Sequence, residues 1–391
     1  MVKIFKKIAG ISLFKLLLAL LFALLILAFG IFPTIAAGER TAIPWGEFRP
    51  VESQFTRMDL AGSYRYFDDR FADDRSNINQ GQLSFLYRGM RENPEFGYDY
   101  NLQANLLLQE GWEISSEGIG RGNYRTFLGE DVDHFIYAGG QLDSASPLQE
   151  RVSAVISGGG GTGRFYDVQP LVRAARIEKR LLEEELLTAA LGPDLMLEMA
   201  DIIAETGPVS TRLNEIWRLL IMEREADFIS SQSSLNIIRE ALEEPRRART
   251  YGREIKAGLG YPLLAPLERA RELSLVAEAR MGYPLTLNTQ ANLTASLAAT
   301  VLDTFDDITF RIQGDIDHRL TEDINLRGGI NYSRQKWQGF PETHNFLSLS
   351  GSAVFHIREN LSITTALRRS SHTLYEEPVY DFTTAFTLSV F

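Results

Sequence analysis

The sequence predicts a mainly β chain: a transmembrane antiparallel β-barrel of about fourteen strands, with twelve or sixteen as the alternatives, carrying one α-helical insert. Three observations predict it. Apolar and polar residues alternate over long segments from residue 53 onward. The links between those segments are alternately short and longer. A single stretch, residues 165–251, abandons the two-residue period for a helical one.

The chain begins with Lys3, Lys6, Lys7 and Lys15 around an uncharged apolar run from Leu16 to Phe32. Pro33 and the small residues Ala36 and Ala37 follow. A positive start, an apolar run and small residues are the features of an export signal, so residues 1–37 are read as a signal peptide and 38–52 as a periplasmic N-terminal segment. A retained membrane anchor is the other reading of the run. After residue 37 no apolar stretch is long enough for a spanning helix, so a helical membrane protein is excluded. The chain has no cysteine, which fits export and removes disulfides and thiolate metal sites. Its net charge of −11 argues against a nucleic-acid partner.

The first part of the barrel is placed at 53–164. Phe96, Tyr98, Tyr100, Leu102, Ala104, Leu106 and Leu108 share one face there, opposite Gly97, Asp99, Asn101, Gln103 and Asn105. The second part, 252–391, repeats the pattern. Phe310, Ile312, Gly314 and Ile316 oppose Arg311, Gln313, Asp315 and Asp317. Leu326, Gly328, Ile330 and Tyr332 oppose Asn325, Arg327, Gly329 and Asn331, and Leu347, Leu349, Gly351 and Ala353 oppose Ser348, Ser350 and Ser352. Tyr283–Leu285, Leu320–Asp323 and Arg358–Asn360 read as short links; 338–345 and 371–379 read as longer ones. Sandwich strands of soluble proteins are shorter than these. Lipid cannot satisfy an open sheet edge, so such strands must close on themselves. Tyr64, Tyr66, Tyr98, Tyr332 and Phe382 then fall near strand ends, where aromatic girdles sit.

With these features the chain resembles bacterial outer-membrane β-barrel proteins as a class. The resemblance extends to the ending Phe386-Thr387-Leu388-Ser389-Val390-Phe391. It implies export to a Gram-negative outer membrane, lipid around the wall, and assembly machinery that reads the terminal Phe391. One departure stands out: Phe382, Phe386, Leu388 and Val390 are out of phase with Phe391.

Inside 165–251, Leu171, Ala174, Ile177 and Leu181 recur at helical steps after Pro170. Gly192-Pro193 ends that run, with Asp194 as the next cap, and Met196, Met199, Ala200 and Ile203 continue it. Leu213, Ile216, Trp217 and Leu220 make a third helix. Leu235, Ile238 and Leu242 make a fourth, from about Ser234 to Pro245. Strand parity puts the insert on the periplasmic side if Tyr124–Leu128 and His134–Gly140 are two strands joined by a tight turn.

AVISGGGGTGR, residues 154–164, looks at first like a phosphate loop, but Arg164 and Phe165 stand where Lys and Ser/Thr are required. It reads instead as the last strand before the insert, its glycines allowing a bend or a close approach of helices or bulky neighbours. His134, His318, His344, His356 and His372 show no metal-ligand spacing, and no metal or cofactor is expected. Ser350, Ser352, His356, Asp315 and Asp317 could make a wall hydrolase; ordinary wall residues are the simpler reading, and no enzyme is expected. The candidate lumen residues are Asp99, Arg311, Gln313, Asp315, Asp317, Arg327 and Arg368. Two function classes follow. One is a porin-like channel for small polar solutes, its periplasmic mouth plugged or flanked by the insert. The other is a structural, assembly or secretion barrel whose insert docks a periplasmic protein.

Overall fold

A computed structural model describes residues 43–68, 77–108, 114–129, 132–146, 152–205, 207–223, 227–244, 249–264, 272–301, 308–321, 323–336, 343–358, 361–373 and 379–389. The signal segment and Phe391 lie outside these residues. Six strands come first: β1 (Ser53–Asp68), β2 (Asn77–Glu92), β3 (Phe96–Leu108), β4 (Ile114–Phe127), β5 (His134–Ser146) and β6 (Ser153–Asp167). Four helices follow: α1 (Gln169–Glu183), α2 (Pro193–Ala204), α3 (Val209–Glu223) and α4 (Gln232–Glu243). Eight strands complete the chain: β7 (Thr250–Leu264), β8 (Ser274–Thr286), β9 (Thr289–Thr300), β10 (Ile308–Arg319), β11 (Ile324–Lys336), β12 (Thr343–Arg358), β13 (Leu361–His372) and β14 (Val379–Ser389).

Each strand pairs antiparallel with its sequence neighbours, and β14 returns to β1 with Gly62 opposite Phe386, so the fourteen strands close into a barrel. The two faces are inverted relative to a soluble protein. Outward Phe382 is 65% exposed, whereas inward Arg125 is 2% exposed. Lipid covers the first kind of residue, and other wall residues cover the second. The C-terminal ends of β2, β4, β8 and β10 share one end of the barrel with the insert, the periplasmic end in barrels of this kind. Outward aromatics gather near it: Phe96 stacks on Tyr124 with centroids 6.1 Å apart, and the Tyr100 hydroxyl donates to that of Tyr87 at 3.2 Å.

Three local expectations change. Tyr283–Leu285 is not a turn: β8 runs on to Thr286, with a register shift between Pro284 and Thr286. A bulge tolerates a residue without an N–H, so Pro284 fits inside the strand. Asp194 does not cap α2; Gly192 does, and Asp194 sits in the first turn, where its charge suits the helix dipole. The fourth helix starts earlier than Ser234, because Ser231 and Ser234 form a reciprocal capping box.

The glycine run is explained by its neighbours. A Cβ on Gly159 would lie 2.2 Å from the Ala257 carbonyl oxygen, and one on Gly161 2.4 Å from the Phe135 ring. Gly163 has φ +109° and would meet the Arg253 carbonyl oxygen at 2.0 Å. The approach is thus by the backbone of β7 and a ring on β5, rather than by the helices.

The insert has its own core. Leu171, Ile177, Leu181, Met199, Ile216, Leu220 and Ile238 are buried together. Trp45 and Phe48, from the N-terminal segment, belong to the same cluster. Polar contacts fasten it to the barrel rim. Glu244, just past α4, pairs with Arg176 of α1 at 2.8 Å and with Arg319 of β10. Arg176 also donates to the Leu287 carbonyl at 3.0 Å, and Arg249 to that of Asn288 at 3.1 Å.

Candidate functional site

The polar phase of every strand faces the lumen, and what fills it differs around the wall. On the β2–β8 side long charged residues meet across it. Arg125 on β4 pairs with Glu92 of β2 at 3.1 Å, Asp99 of β3 at 3.2 Å, and Glu254 of β7. Arg280 on β8 reaches Glu254 at 2.8 Å and Asp99 at 3.5 Å. Lys256 holds Glu278 at 3.1 Å. The Asn123 amide donates to Asp99 at 3.0 Å, and the Phe165 backbone N–H to Glu92 at 3.4 Å. β4 and β7 are not neighbours, so the Arg125–Glu254 pair spans two intervening strands and fills the space between them.

On the opposite side the inward residues of β11–β13 are mostly short: Asn325, Gly329, Asn331, Ser348, Ser350, Ser352, Thr364 and Ala366. A cavity of 1730 Å³ lies toward the periplasmic end, against the insert, and of these residues Asn325 lines it. Its walls come from β1, β2 and β9–β12 on one side and from α1 and α4 on the other. Nine acidic and nine basic residues line it.

The seven candidates from sequence all fall on the inward phase of their strands, but they do not form one group. Asp99 belongs to the packed ion-pair cluster rather than to open lumen. Asp315, Asp317 and Arg327 line the cavity; Arg327 pairs with Asp317 at 2.8 Å, and the Asn292 amide donates to Asp315 at 2.8 Å. Arg311 and Gln313 lie further from the insert on β10; Arg311 has Arg121 of β4 and Asp143 of β5 within electrostatic range across the lumen. Arg368 donates to the Ser348 hydroxyl at 2.7 Å. His356 is 2.8 Å from the Asn325 amide. Among the described residues no cluster of His, Asp and Glu has the arrangement to hold a metal ion.

Arg88, Arg125, Glu254 and Arg280 were not singled out by sequence. The signal for Glu254 and Arg280 was available in Gly252-Arg253-Glu254-Ile255-Lys256-Ala257 and Ala277-Glu278-Ala279-Arg280, where charge repeats on the polar phase. What sequence could not provide is the register that brings β4 opposite β7.

A closed antiparallel barrel with an apolar exterior, a charged interior and short turns at one end is a transmembrane β-barrel of the Gram-negative outer-membrane class. The chain belongs to that class, and its place is the outer membrane. No protein-family model matches the sequence, and no curated protein matches it. Several solved barrels are similar in shape. The Acinetobacter baumannii outer membrane protein Omp33 is 8% identical, with 87% of this chain and 99% of that chain covered and a TM-score of 0.33. The KdgM porin is 7% identical, with 86% and 96% covered and a TM-score of 0.28. Pseudomonas putida OprB is 7% identical, with 86% and 92% covered and a TM-score of 0.34. Scores of this size carry no assignment; the class rests on the barrel's own geometry.

Proposed function

We propose that the barrel is a channel for small polar solutes and that the helical insert restricts its periplasmic mouth. The observation that carries this reading is the cavity between α1, α4 and the β9–β12 wall, lined by equal numbers of acidic and basic residues. A lining of mixed sign favours polar solutes over strong selection for one ion. A barrel of this strand number lies between those filled by side chains and wide porins. Ion pairs pack the β2–β8 side of the lumen, and the cavity lies against the insert at the periplasmic end. The reading assigns no catalytic role to any wall residue.

Planar-bilayer recordings test it. The intact barrel should conduct, and a variant with 169–243 replaced by a short turn should conduct more. No conductance from either would reject the channel. A second reading has one observation in its favour: Met222, 77% exposed, and Ile229, 51% exposed, leave apolar surface on the insert. In that reading the insert docks a periplasmic protein. Deletion would then leave conductance unchanged and abolish recovery of a cross-linked envelope partner.

A further inference from the structure

We propose that Arg88 on β2 anchors a carboxylate-binding site at the inner end of the cavity, so that the solutes this lumen prefers carry a carboxylate group. The proposal deepens the channel reading and rests on it for its functional meaning.

Arg88 lines the cavity. Its Nε is buried and has no hydrogen-bond partner. Among the described residues its guanidinium makes no hydrogen bond or ion pair, which sets it apart from its neighbours. Arg57 is taken up by Asp59 at 2.6 Å. Arg327 is taken up by Asp317 at 2.8 Å, and Asp315 accepts from Asn292 at 2.8 Å. Asp59 and Asp315 are within electrostatic range of Arg88, as are the like charges of Arg57 and Arg327. A half-buried guanidinium has lost part of its hydration, and an anionic oxygen pair from a solute restores it in bidentate geometry.

The surroundings also select the kind of anion. Three guanidiniums (Arg57, Arg88, Arg327) face three carboxylates (Asp59, Asp315, Asp317), so the ring is neutral overall. One unit of negative charge is accommodated at Arg88. A second would be repelled by Asp59 and Asp315. A monocarboxylate therefore fits better than a phosphate dianion.

Saturation-transfer NMR with acetate on the full-length barrel in detergent tests the site. Acetate should bind the unaltered protein. Arg88→Gln should weaken it about tenfold, the value of a charge-assisted hydrogen bond. Arg88→Lys should retain part of the binding, and Arg358→Gln at the cavity rim should leave it unchanged. Inorganic phosphate should displace acetate poorly. Heat-modifiable electrophoretic mobility verifies that each variant is a folded barrel. No acetate signal from the unaltered protein, or equal affinity in Arg88→Gln, overturns the site. Phosphate competing as well as acetate overturns the ligand class. The same preparations in planar bilayers keep the two readings apart: binding without conductance rejects the channel and leaves the site, whereas conductance without binding rejects only the site.

Discussion

The two sides of the lumen are built from the same alternating strands and end up in opposite states. Between β2 and β8 the inward positions hold Glu92, Arg125, Glu254, Lys256, Glu278 and Arg280, long enough to meet across the lumen. Between β11 and β13 they hold mostly Ser, Asn, Gly and Thr, too short to meet across the lumen. The difference teaches that strand number alone does not set the width of a barrel. Side-chain length on the polar phase decides which part of the ring is wall and which is space. It also decides how charge is carried: desolvated and interlocked on one side, solvated and loosely paired on the other.

The largest expected effect comes from breaking the packed side. Arg125→Met leaves Glu92 and Glu254 buried without their shared cation, and should destabilise the barrel by about 3–5 kcal/mol. Urea unfolding followed by tryptophan fluorescence measures it; a loss near zero would mean that the cluster is solvated like the other side. Next comes the exterior. Leu349→Arg places a charge in lipid and should cost about 2–4 kcal/mol near the midplane, while Ser350→Arg, one residue on and facing the lumen, should be mild. Equal losses would show that the faces are wrongly assigned.

A smaller effect is expected where the insert meets the rim. Glu244→Gln removes the carboxylate shared by Arg176 and Arg319, with an expected loss of about 1–3 kcal/mol in docking. Burial alone would raise the Glu244 carboxyl, but Arg176 and Arg319 outweigh it and hold it below the usual glutamate range. Its contribution is therefore complete above the ordinary glutamate pKa and is lost as pH falls through the depressed value. Hydrogen exchange of α1 and α4 should rise on strong acidification in the unaltered protein and respond less in Glu244→Gln. Last, Arg327→Gln breaks a pair that is 42% and 27% exposed, and should cost under about 1 kcal/mol. A loss matching that of Arg125→Met would erase the contrast between the sides.

Much of this was legible from periodicity. The two-residue period of Phe96–Leu108 and Leu347–Ile357 reflects one face in lipid and one in the lumen, a physical demand that local sequence must meet. The helical steps of Leu171, Ile177 and Leu181 are equally local. The site was less legible because it depends on distant pairings. Asp99 shares its alternation with Asp315 and Asp317, yet it joins the packed cluster through Arg125 and Arg280. Trp45 and Phe48 gave no periodic signal, since the irregular chain at 43–52 has no face to repeat.

Those two rings also set an order of events. Roughly 120 residues separate Phe48 from Val168, a member of the same core cluster, and closing so long a loop is slow even though its entropic cost grows only gently with length. Until the first half of the chain has emerged and turned back, the helices lack part of their own interior. The start of the chain thus serves as a delayed fastening. It completes the insert's core across the six strands of the first barrel half, so the periplasmic cap is fastened from both of its flanks.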